Sequence, residues 1–240
     1  MRFLDRLLGS PARDILQGYT DWHCHILPGV DDGVKTLQDS LDILDEYEKC
    51  GVREVFLTPH IMVDIPNETA ALKARFEELK QAYKGSVSLN LAAENMIDNL
   101  FTKRFEERDL MTLPGNRLLV ETSYFNPPVD LRGKLRELCR AGYNPVLAHP
   151  ERYEYMSRHM YDTLADMEIE FQLNLPSLTG YYGKGVKARA EWLLEEGFYT
   201  LSGTDLHRMS QLKSFLGAKI RRSAMEDLED TVLDVSEILG

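Results

Sequence analysis

The sequence predicts an α/β fold: a seven-stranded (β/α)7 barrel of parallel strands, similar in plan to a TIM barrel. Three observations carry this. A unit recurs in which a helical stretch ends in Gly and runs into a short apolar strand, as at Gly51 before VREVFLTPH, Gly85 before SVSLNLAAE, Gly142 before YNPVLAHPE and Gly197 before FYTLSGTDLH. The strands are near-continuous apolar runs, which suits parallel strands covered on both faces. The stretches between them carry helical periodicity instead, and helix alternating with buried strand means α/β.

In chain order, MRFLDRLLGSPARD places Phe3, Leu4, Leu7 and Leu8 on an amphipathic helical extension over 1–17, a cap on the barrel or a docking element. Asp5 and Arg6 interrupt any signal-peptide core. A first strand is expected near 18–22 (GYTDW), then a helix through Leu37, Leu41 and Leu44 that ends at Gly51 in a left-handed cap. Further strands are expected near 53–58, 87–93, 117–121 (RLLVE), 145–148, 170–174 (EFQLN) and 198–203. Asn126-Pro127-Pro128 marks a loop after the fourth, and Val186, Ala190, Leu193 and Leu194 mark the helix before the seventh. The acidic MEDLEDTVLDVSEIL reads as a last helix, for barrel packing or an interface. No linker divides 18–240, which is taken as one domain. An open doubly wound sheet would carry a Gly-rich phosphate loop after its first strand, where this chain has HCH.

Composition narrows the function. With 43% hydrophobic residues over 240 positions the chain can bury a sizeable core, which excludes disorder as its main state. A net charge of -11 opposes extended contact with nucleic acid or an anionic bilayer. No apolar run reaches the length of a membrane span, so membrane insertion is not expected. Three well-separated cysteines, Cys24, Cys50 and Cys139, make no disulfide framework and suit a reducing, cytoplasmic setting.

Almost every expected strand ends in a metal-competent side chain. His23 and His25 follow the first, His60 the second and Glu94 the third; Glu121 ends the fourth, His149 follows the fifth, and Asp205 and His207 follow the seventh. In a parallel barrel these ends share one rim, where active sites are built. Imidazole and carboxylate suit Zn, Mn or Fe. Asp31 and Asp32 add carboxylates just past the first strand, the sixth supplies Gln172 and Asn174, and His159 is expected on a solvated helix. Other schemes fail: a cysteine phosphatase needs an Arg six positions after its thiolate, where Cys24, Cys50 and Cys139 have Val30, Phe56 and Pro145. Cys24 is expected to pack as a small hydrophobe on the far side of the strand from its histidine neighbours.

The segments DWHCHILPGVDDG, TPH, AAEN, LLVET, LAHPERY and SGTDLH, in that order and spacing, resemble the metal-dependent bacterial tyrosine phosphatases of the CpsB/CapC type, within the polymerase-and-histidinol-phosphatase (PHP) superfamily. The resemblance implies a distorted seven-stranded PHP barrel with three divalent ions, often Mn, with Fe or Zn as alternatives. His23, His25, Glu94 and Asp205 would hold the first; Glu94 would bridge to a second held also by Glu121 and His149; Asp32, His60 and His207 would hold the third. The family uses the second acid of the Asp31-Asp32 pair. Arg152 matches a phosphate-binding arginine, and a guanidinium can grip two phosphate oxygens at once. Some relatives carry a second arginine a few residues past the last metal-binding His; here Arg208 follows His207 directly. The implied reaction is hydrolysis of phosphotyrosine by metal-activated hydroxide, on the Tyr-rich tail of a bacterial tyrosine kinase that governs capsule or exopolysaccharide assembly. Tyr124, Phe125 and the stretch SLTGYYGKG (177–185) are candidate walls of the substrate site. Competing readings are a small-molecule phosphatase such as a histidinol-phosphate hydrolase, a non-catalytic metal-bound scaffold for phosphorylated tails, and an amidohydrolase, which usually has a carboxylated Lys where this chain has Glu121.

Overall fold

A computed structural model describes residues 9–231. It is a mixed α/β fold whose strands run parallel in two sheets. One holds β2 (Thr20–Cys24), β3 (Glu54–Leu57) and β5 (Ser88–Leu91), with β3 central. The other has the order β10-β9-β8-β7-β6-β4, from β10 (Tyr199–Gly203) through β9 (Glu170–Asn174), β8 (Asn144–Ala148), β7 (Arg117–Glu121) and β6 (Glu94–Met96) to β4 (His60–Ile61). The seven expected strand regions are all present, but two of them are broken. Pro59 has no N–H to give to a ladder, so the second region ends as β3 and resumes beyond it as β4. The third breaks likewise between β5 and β6, and the Glu94 amide donates to the Pro59 carbonyl at 3.1 Å. Both segments thereby pass from one sheet into the other.

At the other boundary, β2 meets the chain beyond β10 through two backbone bonds: the Asp205 amide to the His23 carbonyl (2.7 Å) and the His25 amide to the Leu206 carbonyl (2.8 Å). Asp21, fully buried, reinforces this contact by accepting from the Thr204 amide (2.8 Å), the Thr204 hydroxyl (2.7 Å) and the Tyr47 hydroxyl (2.8 Å). Two apolar clusters fill the fold. The larger lies beneath the helices; the smaller joins Trp22, Phe56, Ala92, Leu113, Leu119, Val146, Ala148 and Leu201, drawn from strands of both sheets, with Trp22 stacked on Phe56 at 4.6 Å.

Helix α1 (Leu37–Cys50) illustrates the connections. Thr36 Oγ1 accepts from the Asp39 amide at its start, Ile43, Leu44 and Tyr47 turn inward, and Gly51 at φ 86° ends it. Gly142 and Gly197 also take positive φ, but Gly85 does not: α2 (Thr69–Ala82) stops earlier, with Tyr83 extended and its hydroxyl accepting from the Val87 amide. The first strand is likewise displaced from the expected 18–22 to 20–24, so His23 lies within it. The helix expected in the first residues lies outside the described residues. Ser10–Pro11 (β1) pairs antiparallel with Lys219–Ile220 (β11), and Ala12, Ile15 and Leu16 of the following 3-10 turn are buried. A last helix runs over Arg222–Thr231, starting three residues before the expected acidic stretch, and the rest of that stretch lies beyond the described residues. Among the described residues no helix is long and apolar enough to cross a membrane.

The Asp21 contact makes a stability prediction. Asp21→Ala removes the acceptor of four buried donors, the His23 amide included, a loss of about 2–4 kcal/mol, so the thermal midpoint measured by circular dichroism should fall by roughly 5–15 °C for a chain of this size.

Candidate metal centre and phosphate pocket

Parallel strands deliver their C-terminal ends to one edge, and all nine expected ligand side chains meet there. His23 lies in β2 and His25 just past it; His60 opens β4 and pairs in register with Glu94, which opens β6. Glu121 ends β7. His149 and Asp205, just beyond β8 and β10, hold left-handed backbone at φ 36° and 49°, a strained conformation that non-glycine residues adopt where the surroundings enforce it. His207 follows, and Asp32 reaches in from the loop after β2.

Glu94 is the hub. Its Oε2 lies 3.1 Å from His23 Nε2, 3.2 Å from His25 Nε2 and 3.1 Å from His60 Nδ1, while its Oε1 lies 2.9 Å from His149 Nε2. His60 Nδ1 is also 2.9 Å from Glu121 Oε1. Asp205 Oδ1 lies 3.4 Å from His25 Nε2, 3.7 Å from His23 Nε2 and 3.5 Å from His207 Nδ1. Asp32 Oδ1 sits between His60 Nε2 (3.5 Å) and His207 Nε2 (3.4 Å). Three sets of ligand atoms each fall within 4.8 Å: His25, Asp32, His60 and His207; His23, His25 and Glu94; His60, Glu94 and Glu121.

Hydrogen bonding alone does not satisfy this cluster. His60 Nδ1, Glu94 Oε2 and Glu121 Oε1 are buried without a hydrogen-bond partner, although the imidazole nitrogen stands about 3 Å from each of the two oxygens. Atoms that close, without donor geometry between them, fit a shared cation. Surrounding residues fix the rings for that task. His23 Nδ1 bonds Gln172 Oε1 (2.8 Å), His25 Nδ1 bonds Asp31 Oδ2 (2.8 Å) and His207 Nδ1 bonds the Asp205 carbonyl (2.8 Å). With the proton on Nδ1 in each case, Nε2 keeps its lone pair for a metal.

Without a cation, protons compensate the charge. Burial opposes the charged form of His23, yet the Glu94 carboxylate overrides it and raises the pKa. Burial is likewise outweighed at His25, raised by Asp31, and at His60, which its two carboxylates lift to about 9 against burial and the neighbouring His25. Burial would raise Glu94 and Asp205; instead their imidazole neighbours hold both well below the usual carboxylate range.

Beside the cluster opens a cavity of about 260 Å³, bounded by His60, His149, Asp205 and His207 and walled by Tyr124, Arg152, Tyr181, Tyr182, Arg208 and Gln211. Arg152, at the end of the turn Pro150–Arg152, ignores its acidic sequence neighbours and bonds Asp205 Oδ2 at 2.7 Å. Its guanidinium lies 4.3 Å from the ring centroids of both Tyr124 and Tyr182. Asn174 Nδ2 also donates to Asp205 Oδ2 (2.8 Å), so one oxygen of Asp205 faces the imidazoles and the other the pocket. Arg208 is exposed at the mouth. Of the proposed walls, Tyr124 and the Tyr181-Tyr182 pair line the cavity, whereas Phe125 points to solvent. Cys24 is buried away from the cluster, and burial pushes its thiol pKa well up. His159 is exposed on helix 158–165.

Sequence reading passed over Glu151. It is fully buried, accepting from the Asn174 amide (3.0 Å), the Ser177 hydroxyl (2.7 Å) and the Tyr199 hydroxyl (3.0 Å), and so anchors the turn that carries His149 and Arg152. A carboxylate wedged between His149-Pro150 and Arg152 was the available signal. The orienting role of Asp31 was also missed; its place beside Asp32 gave no hint of a bond back to His25.

Fold and site together define an α/β protein with a candidate centre for several metal ions beside an arginine-bearing pocket. The chain belongs to the family described as capsular polysaccharide synthesis, CpsB/CapC, whose sequence model matches residues 19–227. It is 29% identical over 196 residues to the tyrosine-protein phosphatase YwqE of Bacillus subtilis, spanning 79% of this chain and 77% of that protein. To the tyrosine-protein phosphatase CpsB of Streptococcus agalactiae serotype V it is 28% identical over 216 residues, spanning 82% and 86%. A crystal structure from work on YwqE of Bacillus subtilis and CpsB of Streptococcus pneumoniae, described as unique metal-dependent tyrosine phosphatases, superposes with a TM-score of 0.75 at 26% identity, covering 88% of this chain and 87% of that one.

A binding test follows from the orphaned lone pairs. Divalent Mn or Zn added to chelator-stripped protein should raise the thermal midpoint, since a ligand bound only by the folded state stabilises it. In Glu94→Gln, which removes the hub charge, both that rise and the metal retained after gel filtration should fall sharply.

Proposed function

We propose that this chain is a metal-dependent protein-tyrosine phosphatase. The observation that carries the reading is the convergence of buried, unpartnered imidazole and carboxylate atoms beside a pocket whose arginine is held between two aromatic rings. Three divalent ions, Mn or alternatively Fe or Zn, fit the donor set. His23, His25, Glu94 and Asp205 would hold one; Glu94, Glu121 and His149 a second, with His60 Nδ1 also in reach; Asp32, His60 and His207 a third, with His25 close. When bound, such ions lower the pKa of a water towards neutrality and neutralise charge on the transferring phosphoryl group.

The chain's own residues do the rest. Arg152 offers a charge-assisted clamp for the phosphate oxygens, and the Asp205 carboxylate beside it keeps its guanidinium charged against the cost of burial. Arg208 supplies a second cation at the mouth. Tyr124, Tyr181 and Tyr182 give aromatic walls suited to a phenyl ring. A phenolate leaves with a free pKa of about 10, so it needs little help from a general acid.

The finer architecture belongs to the same proposal. The small apolar cluster shared by both sheets, with the backbone bonds between β2 and the chain after β10, supports reading the fold as a distorted seven-stranded PHP barrel, and we assign 18–240 as the phosphatase domain and 1–17 as an extension. The substrate we assign is the phosphorylated tyrosine tail of a kinase in capsule or exopolysaccharide synthesis, following the family. Three free cysteines favour the cytoplasm as its setting.

Chelation should abolish hydrolysis of a phosphotyrosine peptide, and Mn should restore it; turnover that persists in demonstrably metal-free protein overturns the reading. Arg152→Ala should keep its metal, by elemental analysis, while kcat/KM drops roughly ten- to a thousandfold, about 1.4 to 4 kcal/mol of transition-state stabilisation. Cys24→Ser should keep most of its activity, since a covalent nucleophile would cost at least about a hundredfold in kcat.

A further inference from the structure

Five large apolar side chains stand exposed among the described residues: Leu37, Val63, Phe125, Val129 and Tyr181, with Val129 at 89%. All five lie on segments that leave the C-terminal ends of the strands, the edge that bears the metal centre. Each such segment also lines the pocket: Leu37 follows Asp32, Val63 follows His60, Phe125 and Val129 follow Tyr124, and Tyr181 is itself a wall. The segments at the opposite edge expose none of comparable size among the described residues. Single exposed apolar residues scattered over a surface are ordinary. Confinement to the edge of the fold that bears the pocket is a pattern.

The pocket, at about 260 Å³, is smaller than the clefts that enclose a whole drug-sized ligand. It suits one phosphorylated side chain and leaves the rim outside. A second cavity, of about 310 Å³, shares His207 and Arg208 with the pocket and continues past Val34 and Met209, so open space extends beyond the pocket along this edge. A small phosphate ester has no use for such a border. A polypeptide substrate must cross it.

We propose that this rim is a docking surface for the polypeptide on either side of the phosphotyrosine, and that it selects apolar flanking residues. The inference rests on the phosphatase reading above. A second copy of this chain seated on the rim would shut the mouth against a protein substrate, and the net charge of -11 disfavours an anionic bilayer there.

The test compares the metal-loaded full chain with its Val63→Ser/Val129→Ser variant on three substrates: p-nitrophenyl phosphate, a phosphotyrosine peptide with apolar flanks, and the same peptide with Ser and Gly flanks. Wild type should prefer the apolar peptide, and the variant should lose roughly three- to thirtyfold in kcat/KM on it, chiefly through KM, as expected for one or two lost valine contacts. Hydrolysis of p-nitrophenyl phosphate should not change. A variant that keeps wild-type kcat/KM on the apolar peptide, or loses equally on all three substrates, overturns the rim. A sedimentation shift from dimer to monomer without a kinetic change gives the surface to a second copy and overturns it too. Wild type that turns over none of the three substrates overturns the phosphatase reading itself.

Discussion

The structure turns on one buried carboxylate. Glu94 stands within 3.2 Å of four imidazole nitrogens and has no access to solvent. Removing a carboxylate from water costs several kcal/mol, and only positive charge at close range offsets it. Against the cost of burial, three of these rings are pushed towards the protonated form by Glu94 and the neighbouring carboxylates, so the pKa values of His23, His25 and His60 are all raised. A metal ion supplies the positive charge better, because it uses the imidazole lone pairs and releases the protons. Assembly of the strand ends and binding of metal are thus two expressions of the same electrostatic requirement.

That requirement explains the broken strands. A continuous strand through Thr58-Pro59 would place His60 according to the β3 ladder; the break at Pro59 lets β4 pair with β6, and His60 arrives opposite Glu94. The left-handed backbone at His149 and Asp205 does similar work beyond β8 and β10. Each costs on the order of 1–3 kcal/mol and persists because the surroundings over-determine it. At His149 the surroundings include the Glu151 network, and at Asp205 the backbone bond to His23 and the adjacent anchoring of Thr204 by Asp21.

Much of this was legible in the sequence, for identifiable reasons. Strands are written in local apolar runs, and histidines and acids at their ends are rare enough to stand out. Hence all nine candidate ligands stand out locally, and the fold brings their side chains to one edge. The break at Pro59 was visible in principle, but its consequence, a change of sheet, depends on the partner strand. Gly85 looked like a helix cap because it precedes a strand, yet α2 had already ended at Ala82. The stacking of Tyr182 on Arg152 joins residues 30 apart through two different connections, and no local pattern encodes that. In the sequence Gln172 and Asn174 are simply polar residues of the sixth strand; their bonds to His23 and Asp205 emerge once the strands are adjacent.

Asp205 links the two halves of the site. Its Oδ1 faces His23, His25 and His207, while its Oδ2 receives Arg152 and Asn174. A metal ion drawing on Oδ1 would reduce the negative charge available at Oδ2, and so weaken the hold on the guanidinium that the proposed reaction needs at the phosphate. The aromatic rings on either side of Arg152 do not depend on that charge balance. They keep the guanidinium in the pocket by contact with its faces, leaving its edge free for oxygen ligands. In this geometry the imidazole cluster and the pocket share one carboxylate, so the charge at Asp205 Oδ1 bears directly on the partner that Arg152 meets at Oδ2.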